Sequence, residues 1–473
     1  MSMMWRLPAR RPIIARICER ARRQVTPAAR LAAAIEALVA IDGDRRPADR
    51  VLNAFLRGRR YIGAKDRHAI SGRVYAVLRQ RARLDWMITQ KAAAIPLDAR
   101  GRVLASVALE GDTAMLAQIG TDRHGPPAFS HLEADMVAAL AAAPPAMTAA
   151  PAHVRLEAPA WMVACLEEDL GAGAAPLLAA MTESAAMDLR INPARADRAA
   201  LRAVLADQGM TAEPTPLSPY GLRVRERRPI DGLPAFKDGH FEVQDEGSQV
   251  AAALVGARPG MQICDFCAGA GGKSLAMAAN MGNRGRILAL DTSAARLKRL
   301  GQRLKRAGHD NIEPRHIAHE RDRSLKRAKG KFDRVLVDAP CSGTGTWRRN
   351  PDARWRYGPD EVAEICELQN AILAAAARLV KPGGRLVYVT CSVLRTENED
   401  VVAAFQAGHA DFALMPMPAV WTETLGAEGV PCPVSGPVLH LRPDRHGTDG
   451  FFVAVLERRE ADTLANAEAA GYG

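Results

Sequence analysis

Two cysteine motifs carry the most distinctive chemistry in this chain: Asp338-Ala339-Pro340-Cys341 and Thr390-Cys391-Ser392. Each follows an apolar run with strand character, Arg334–Val337 for the first and Arg385–Thr390 for the second. A single cysteine is as often a small buried hydrophobe as a reactive group. Two of them, each at a strand end and each beside a glycine-rich loop, point to use. A thiolate can activate a reluctant carbon nucleophile. Added to carbon 6 of a cytosine, it places electron density on carbon 5, which can then attack an electrophilic methyl group. A base must remove the carbon-5 proton before the thiolate is expelled. That chemistry needs a reactive thiolate, a proton acceptor and a donor near the ring nitrogen. Cys391, Cys341 and Asp338 are residues of those types. Chemistry alone leaves open which cysteine attacks.

The loop between these motifs and the rest of the chain reads Cys267-Ala268-Gly269-Ala270-Gly271-Gly272-Lys273-Ser274, after the strand candidate Gln262–Phe266. Glycines let backbone approach a ligand closely and open a helix whose N-terminus carries partial positive charge. A phosphate-binding P-loop would need glycine where Cys267 stands, and a dinucleotide fingerprint would need glycine where Ser274 stands. Cys264 and Cys267 have CxxC spacing, but no second pair exists and Cys264 falls within the strand pattern, so no metal site is expected. An S-adenosyl-L-methionine loop remains. Asp291, just after the strand candidate Arg286–Leu290, supplies the carboxylate that a ribose requires. From the loop and the strand end alone, Cys267, Ala268, Gly269, Ala270, Gly271, Gly272 and Asp291 are the candidates for the cofactor.

The elements that must position these residues follow from periodicity. From residue 246 to 473 strand and helix patterns alternate: Gln262–Phe266, Arg286–Leu290, the helix Ala294–Ala307, Arg334–Val337, the helix Asp360–Val380, Arg385–Thr390 and Phe451–Leu456. This predicts an α/β fold with a mostly parallel sheet, whose ligands bind beyond the carboxyl ends of the strands. Residues 155–245 read as a small α+β module. Its strands are Met187–Asn192, Leu222–Val224 and Phe241–Val243, and its helix is Ala199–Gln208. Residues 26–143 read as all-α, opening at Thr26-Pro27 as N-cap and first helical position. Helical spacing recurs there at Leu31, Ile35 and Leu38, then Val51 to Leu56, then Ile70 to Leu78. Pro144, Pro145 and Pro151 mark a linker over 144–154. Residues 1–25, with Arg6, Arg10, Arg11, Arg16 and Arg20, read as a basic tail.

The 473 residues exceed one ordinary core. Hydrophobic content of 48% and charged content of 25% suit a soluble globular protein. A formal net charge of +11 favours a polyanionic partner, nucleic acid first. Eight cysteines in so long a chain suggest reduced thiols and a cytoplasmic setting. No apolar run is long enough to span a membrane, and no obligate protein partner is evident.

These residues resemble the bacterial ribosomal RNA cytosine-C5 methyltransferases of the Sun/Fmu (NOL1/NOP2/sun) family. The similarity lies in Val243-Gln244-Asp245-Glu246, the loop Cys267–Ser274, Val337–Arg349, Thr390–Asn398 and His446–Phe452. The helical pattern before residue 140 is similar to the NusB-like RNA-binding domain of the branch that acts on 16S RNA. The resemblance implies a Rossmann-like class I adenosylmethionine-dependent methyltransferase domain preceded by an all-α NusB-like domain and a small α+β module. It implies attack by Cys391, product release by Cys341, and a hydrogen bond from Asp338 to the base. It also implies Lys273, Arg296 and Asp338 at the cofactor, Asp291 at its ribose, and a third-strand acidic contact, Asp322 in preference to Glu320. Ribosomal RNA, 16S or a small-subunit assembly intermediate, is the implied partner. Two loop positions depart from the family: Ala270 stands in place of the usual proline and Gly269 in place of alanine.

Competing readings are weaker on the residues. Exocyclic-amine methyltransferases carry Asn/Asp-Pro-Pro-aromatic where this chain has Asp338-Ala339-Pro340-Cys341. An inactive ribosome-assembly factor would not need Lys273, Asp291, Asp338, Cys341 and Cys391 together. For the RNA itself, three cationic stretches stand out. They are the helix with Arg296, Lys298, Arg299, Arg303, Lys305 and Arg306, the loop with Lys326, Arg327, Lys329 and Lys331, and the segment Trp347 to Tyr357. The last mixes Trp347, Arg348, Arg349, Arg354, Trp355 and Arg356, as base stacking and phosphate contact would require. The arginines of the helical region, among them Arg59, Arg67, Arg73 and Arg81, are either a solvated face or further RNA contacts.

Overall fold

The computed structural model describes residues 25–44, 46–225, 230–426 and 429–460. The Arg-rich tail through residue 24 lies outside the described residues. The chain forms two compact units, the first running to Val163 and including Asn350–Asp352, the second made of Ala164–Arg349 and the residues from Ala353 on. Residues 144–154, expected as a linker, therefore fall inside the first unit.

The first unit is built on helices Pro27–Asp42, Ala48–Gly58, Ala64–Arg79, Arg81–Lys91, Ala99–Leu109 and His131–Ala142, with no strand among its described residues. Thr26 caps the first helix, its hydroxyl accepting from the Ala29 amide at 3.1 Å, with Pro27 at the first helical position. Ser130 and Glu133 form a reciprocal capping box on the last. The stripes read from periodicity, including Leu31, Leu38, Val51, Leu52, Ile70 and Val74, meet in one apolar core. Several arginines of this unit are already partnered within it. Arg59 lies over the Phe55 ring and pairs with Glu36, and Arg73 bonds Ser106 and Glu110.

The second unit holds two sheets. The smaller consists of β1 (Met187–Ile191), β2 (Ala212–Pro214), β3 (Gly221–Val224) and β4 (Phe241–Val243), in the order β2-β3-β1-β4, all antiparallel. Leu189, Ile191, Leu222 and Phe241 bury one face against Leu201 and Leu205 of the helix Arg198–Asp207. The larger comprises β5 (Gln262–Asp265), β6 (Arg286–Asp291), β7 (Ile312–His316), β8 (Phe332–Asp338), β9 (Val380–Thr390), β10 (Phe412–Leu414), β11 (Leu439–Leu441) and β12 (Phe451–Arg458). Their order is β10-β12-β9-β8-β5-β6-β7, with β11 paired to β12. β5 to β9 run parallel and β10 to β12 antiparallel. The α/β expectation with a mostly parallel sheet holds.

Both faces of this sheet are covered, which explains why its strands read as unbroken apolar runs. Ile263, Ile287, Leu336 and Val387 point to one core. Cys264, Leu288, Val335, Val337 and Tyr388 point to the other. The helix expected to reach Val380 ends at Ala377, and Val380 opens β9. Pro382 and Gly383 cannot continue a helix, and the carbonyls of Arg378 and Leu379 are taken by the amides of Gly330 and Lys331. β7, β10 and β11 were not legible as strands. β7 is an edge strand broken by Pro314, and the other two are three residues long, too short to show alternation.

Candidate active site

Strand order reverses around β5, with β6 on one side and β8 on the other. A ligand crevice belongs at the carboxyl ends of such strands. A cavity of about 750 Å³ opens there, lined by the loops that follow β5, β6, β8 and β9. Cys267, Ala268, Gly269, Ala270, Gly272, Lys273, Asp291, Arg296, Asp338, Cys341 and Cys391 all border it. Two expected residues do not. Gly271 turns in the left-handed region (φ 80°) against Leu300, whose side chain occupies the place a Cβ would need. Asp322 caps the turn Arg323–Ala328, and its carboxylate accepts from the amides of Ala318 and Ser324, both at 2.9 Å. Those bonds hold it in ionised form with a pKa lowered to about 2. Glu320, the other acidic candidate, borders the cavity instead.

The loop after β5 is fixed from several sides. The Asp291 carboxylate accepts from the Gly269 amide at 2.8 Å and the Ser293 amide at 2.6 Å. Arg303 donates to the Ala270 carbonyl at 2.8 Å, which anchors the position where proline is usual. Beneath the loop, Asp265 is buried and bonded by the Ser274 hydroxyl at 2.6 Å, and its second oxygen has no hydrogen-bond partner among the described residues. Burial raises its pKa to about 7. Phe266, Ile317 and Ile372 give the cavity apolar walls. A carboxylate at the end of β6, backbone amides at a helix start and flat apolar walls suit a nucleoside cofactor with a polar tail.

On the far wall, Lys273 Nζ meets Asp338 Oδ2 at 2.7 Å and lies over the Phe451 ring at 5.4 Å. The two cysteine sulfurs are 3.3 Å apart, and both thiols are free. Hydrogen bonding with Cys391 and burial push the Cys341 thiol well above its ordinary range, with the nearby Glu397 charge adding to the effect. The Gly345 amide donates to the Cys391 carbonyl at 2.9 Å. A Cβ on Gly345 would collide with the Gly450 carbonyl at 2.4 Å, so only glycine admits this approach.

Three further groups lie in stretches that the sequence analysis quoted without giving them a role. Glu397 is fully buried and bonds both cysteine loops. Asp245 and Asp449 clasp Arg349, at 2.8 Å for Asp245, while Arg348 reaches Asp449 at 3.2 Å. Burial opposes the Arg349 charge, but Asp449 and Asp245 outweigh it and hold the guanidinium above its usual value. This corrects the expectation for the segment after Cys341. Trp347, Arg348 and Arg354 are buried, and Arg354 donates to the Met181 carbonyl, so they brace the site and do not face RNA. The available signal was Thr390–Asn398 itself, where Glu397 interrupts a run that the cysteine alone does not explain.

Comparison with known proteins fits this geometry. Residues 252–457 match the model of the 16S rRNA methyltransferase RsmB/F family, and residues 158–231 match its ferredoxin-like domain. A ribosomal RNA small subunit methyltransferase B of Citrobacter koseri is 32% identical over 317 residues, 66% of this chain and 68% of that protein. The chain belongs to the RsmB/F methyltransferase family. The probable ribosomal RNA small subunit methyltransferase B of Synechocystis sp. is 36% identical over 305 residues, 63% of this chain. That match spans 66% of the relative's length, just under two thirds. Among solved structures, PH0851 superposes with a TM-score of 0.73 at 26% identity, covering 92% of this chain and 99% of that one. A methyltransferase homologue from Pyrococcus horikoshii gives 0.55 at 27% identity, covering 65% and 97%. The family's Rossmann-like sheet thus carries the candidate site.

Proposed function

We propose that the protein methylates carbon 5 of a cytosine in ribosomal RNA, with 16S RNA or a small-subunit assembly intermediate as substrate and Cys391 as the covalent nucleophile. The observation that carries this reading is the pair of free thiols 3.3 Å apart at the wall of a cavity of about 750 Å³ that Asp291 and the glycine-rich loop also line. Family membership and the relatives' names favour ribosomal RNA as substrate. S-adenosyl-L-methionine, when bound, supplies an electrophilic methyl group. Cys267, Ala268, Gly269, Ala270, Gly272, Lys273 and Asp291 would hold it, with Asp291 offering a carboxylate to the ribose hydroxyls.

The chain's own residues supply the rest. A target cytosine must leave its stack to enter the cavity. The Cys391 thiolate adds to carbon 6, and the carbon 5–carbon 6 π electrons shift to carbon 5. Asp338, held by Lys273, orients the base by accepting a hydrogen bond from its exocyclic amine. After methylation the carbon-5 proton passes to solvent water. The carbon 5–carbon 6 double bond re-forms, and the carbon 6–sulfur electron pair returns to Cys391. Cys341, within hydrogen-bond distance of that sulfur, assists the departure.

Two variants test the assignment. Cys391→Ala should lose methyl transfer by at least about a thousandfold, as when a nucleophile is removed, while still binding the cofactor. Full turnover by it would remove the nucleophile role. Cys341→Ala should form a covalent RNA adduct that accumulates as a slow band on a denaturing gel. Clean turnover with no band would remove the release role.

A further inference from the structure

Glu397 lies on the segment that follows Cys391 and is fully buried. One carboxylate oxygen accepts from the Ser342 amide at 2.8 Å and from Gln369 Nε2 at 3.1 Å. The other accepts from the hydroxyls of Ser342 and Ser392. Ser342 follows Cys341 and Ser392 follows Cys391, so one carboxylate binds the residue after each cysteine. No ion pair to it occurs among the described residues. Four neutral donors on an acceptor-only group make strong, directional bonds. The frame is reinforced around it. Tyr388 Oη donates to the Glu397 carbonyl at 2.7 Å, Asn398 Nδ2 to the Ser392 carbonyl at 3.1 Å, and the Thr344 hydroxyl lies 3.0 Å from that of Ser392.

We propose that Glu397 is a positioning residue for product release: it locks the loops after β8 and β9 together and so holds the Cys341 thiol against the Cys391 sulfur. This rests on the covalent cysteine chemistry proposed above. As the carbon 6–sulfur bond breaks, its electron pair returns to Cys391, and the Cys341 S–H donates a hydrogen bond to the departing thiolate. No proton need be transferred. The Glu397 charge acts in the same direction as the geometry, because an anion close to Cys341 keeps that thiol protonated and able to donate. Removing the charge or the donors should loosen this approach of the two sulfurs without disturbing attack by Cys391 or cofactor binding, since Glu397 does not border the cavity.

The test uses the full chain, S-adenosyl-L-methionine and unmodified 16S RNA, and measures the lifetime of the covalent adduct. Glu397→Gln and the double variant Ser342→Ala/Ser392→Ala should each lengthen it by about tenfold or more, with cofactor affinity within about twofold of the parent. In a Cys341→Ala background, Glu397→Gln should add nothing, because a residue acting through Cys341 cannot act in its absence. Independent, multiplying effects in that cycle would overturn the proposal, as would an unchanged adduct lifetime in both loop variants. If Cys341→Ala turns over cleanly with no adduct, the release role of Cys341 proposed above fails, and not the role of Glu397 alone. Equal loss of cofactor binding and melting temperature in both loop variants would reduce Glu397 to a folding residue and sink the inference.

Discussion

The segment after Cys341 and the segment from Arg321 to Lys331 are both crowded with cations, yet they use them in opposite ways. Arg348 and Arg349 are closed over by Asp449 and Asp245, and Arg354 lies 5.3 Å from the Trp347 ring and donates to a main-chain carbonyl. Arg323, Arg327 and Lys331 are exposed and border an open depression of about 810 Å³ on one side of the sheet, with Arg286 and Arg315 beside them. Arg286 and Arg315 share Glu313, whereas Arg323, Arg327 and Lys331 make no ion pair among the described residues. A buried guanidinium requires carboxylates and carbonyls to offset its lost hydration. An exposed one retains its hydration and remains available to a phosphate. The first stretch therefore stiffens the site, and the second is the better candidate for RNA backbone contact.

Breaking the buried clasp should have the larger effect. Arg349→Met leaves Asp245 without its cation and Asp449 with Arg348 alone, and should destabilise the fold by about 3 kcal/mol, read from urea denaturation. Burial and the Asp245 charge already raise the Asp449 pKa to about 6, so protonation at low pH should narrow the gap between variant and parent. An unchanged unfolding midpoint would mean that this segment is no more structural than the exposed one.

A smaller effect should follow from the exposed set. Arg323→Ala/Arg327→Ala/Lys331→Ala should leave the melting temperature unchanged and weaken RNA binding by about tenfold at physiological salt. The slope of log affinity against log salt should flatten by about 2 to 3, roughly one unit for each phosphate no longer neutralised. Unaltered affinity would make these residues ordinary solvated surface.

The smallest effect is a pH dependence behind the third cationic stretch, the helix Ala294–Ala307. His309, just past its end, meets Asn283 Oδ1 at 2.9 Å. Burial, then the charges of Arg190 and Arg195, lower its pKa to about 4 from 6.5. Between those values the unfolded chain binds a proton that the native state does not. Stability must then rise with pH across that window and fall as pH drops from about 6.5 towards 4. The loss between pH 6.5 and 5 should be about 1 kcal/mol. His309→Gln should flatten that part of the stability curve. An identical curve for the variant would show that His309 titrates normally.

Much of the architecture was written locally. Thr26-Pro27, the period-3.6 stripes and the apolar runs of β5, β6, β8 and β9 depend on residues close in sequence, so they were legible. The same holds for the glycine loop after β5 and for the carboxylate and cysteine motifs at strand ends, since a strand's carboxyl end is fixed once the strand is recognised. Three decisions were made only by tertiary structure. The first is the 3.3 Å approach of Cys341 to Cys391, which requires β8 and β9 to be neighbours. The second is the choice of acidic residue facing the cavity: the local turn holds Asp322 through the Ala318 and Ser324 amides, but Glu320 reaches the cavity wall only because β7 packs beside β6. The third is the fate of each arginine, which depends on whether a carboxylate distant in sequence, such as Asp449 for Arg349, arrives to neutralise it. Local sequence sets which groups are present and which way the chain turns. Burial and long-range charge pairing set which of them are free to do chemistry, because desolvation acts on the folded surroundings and not on the residue type.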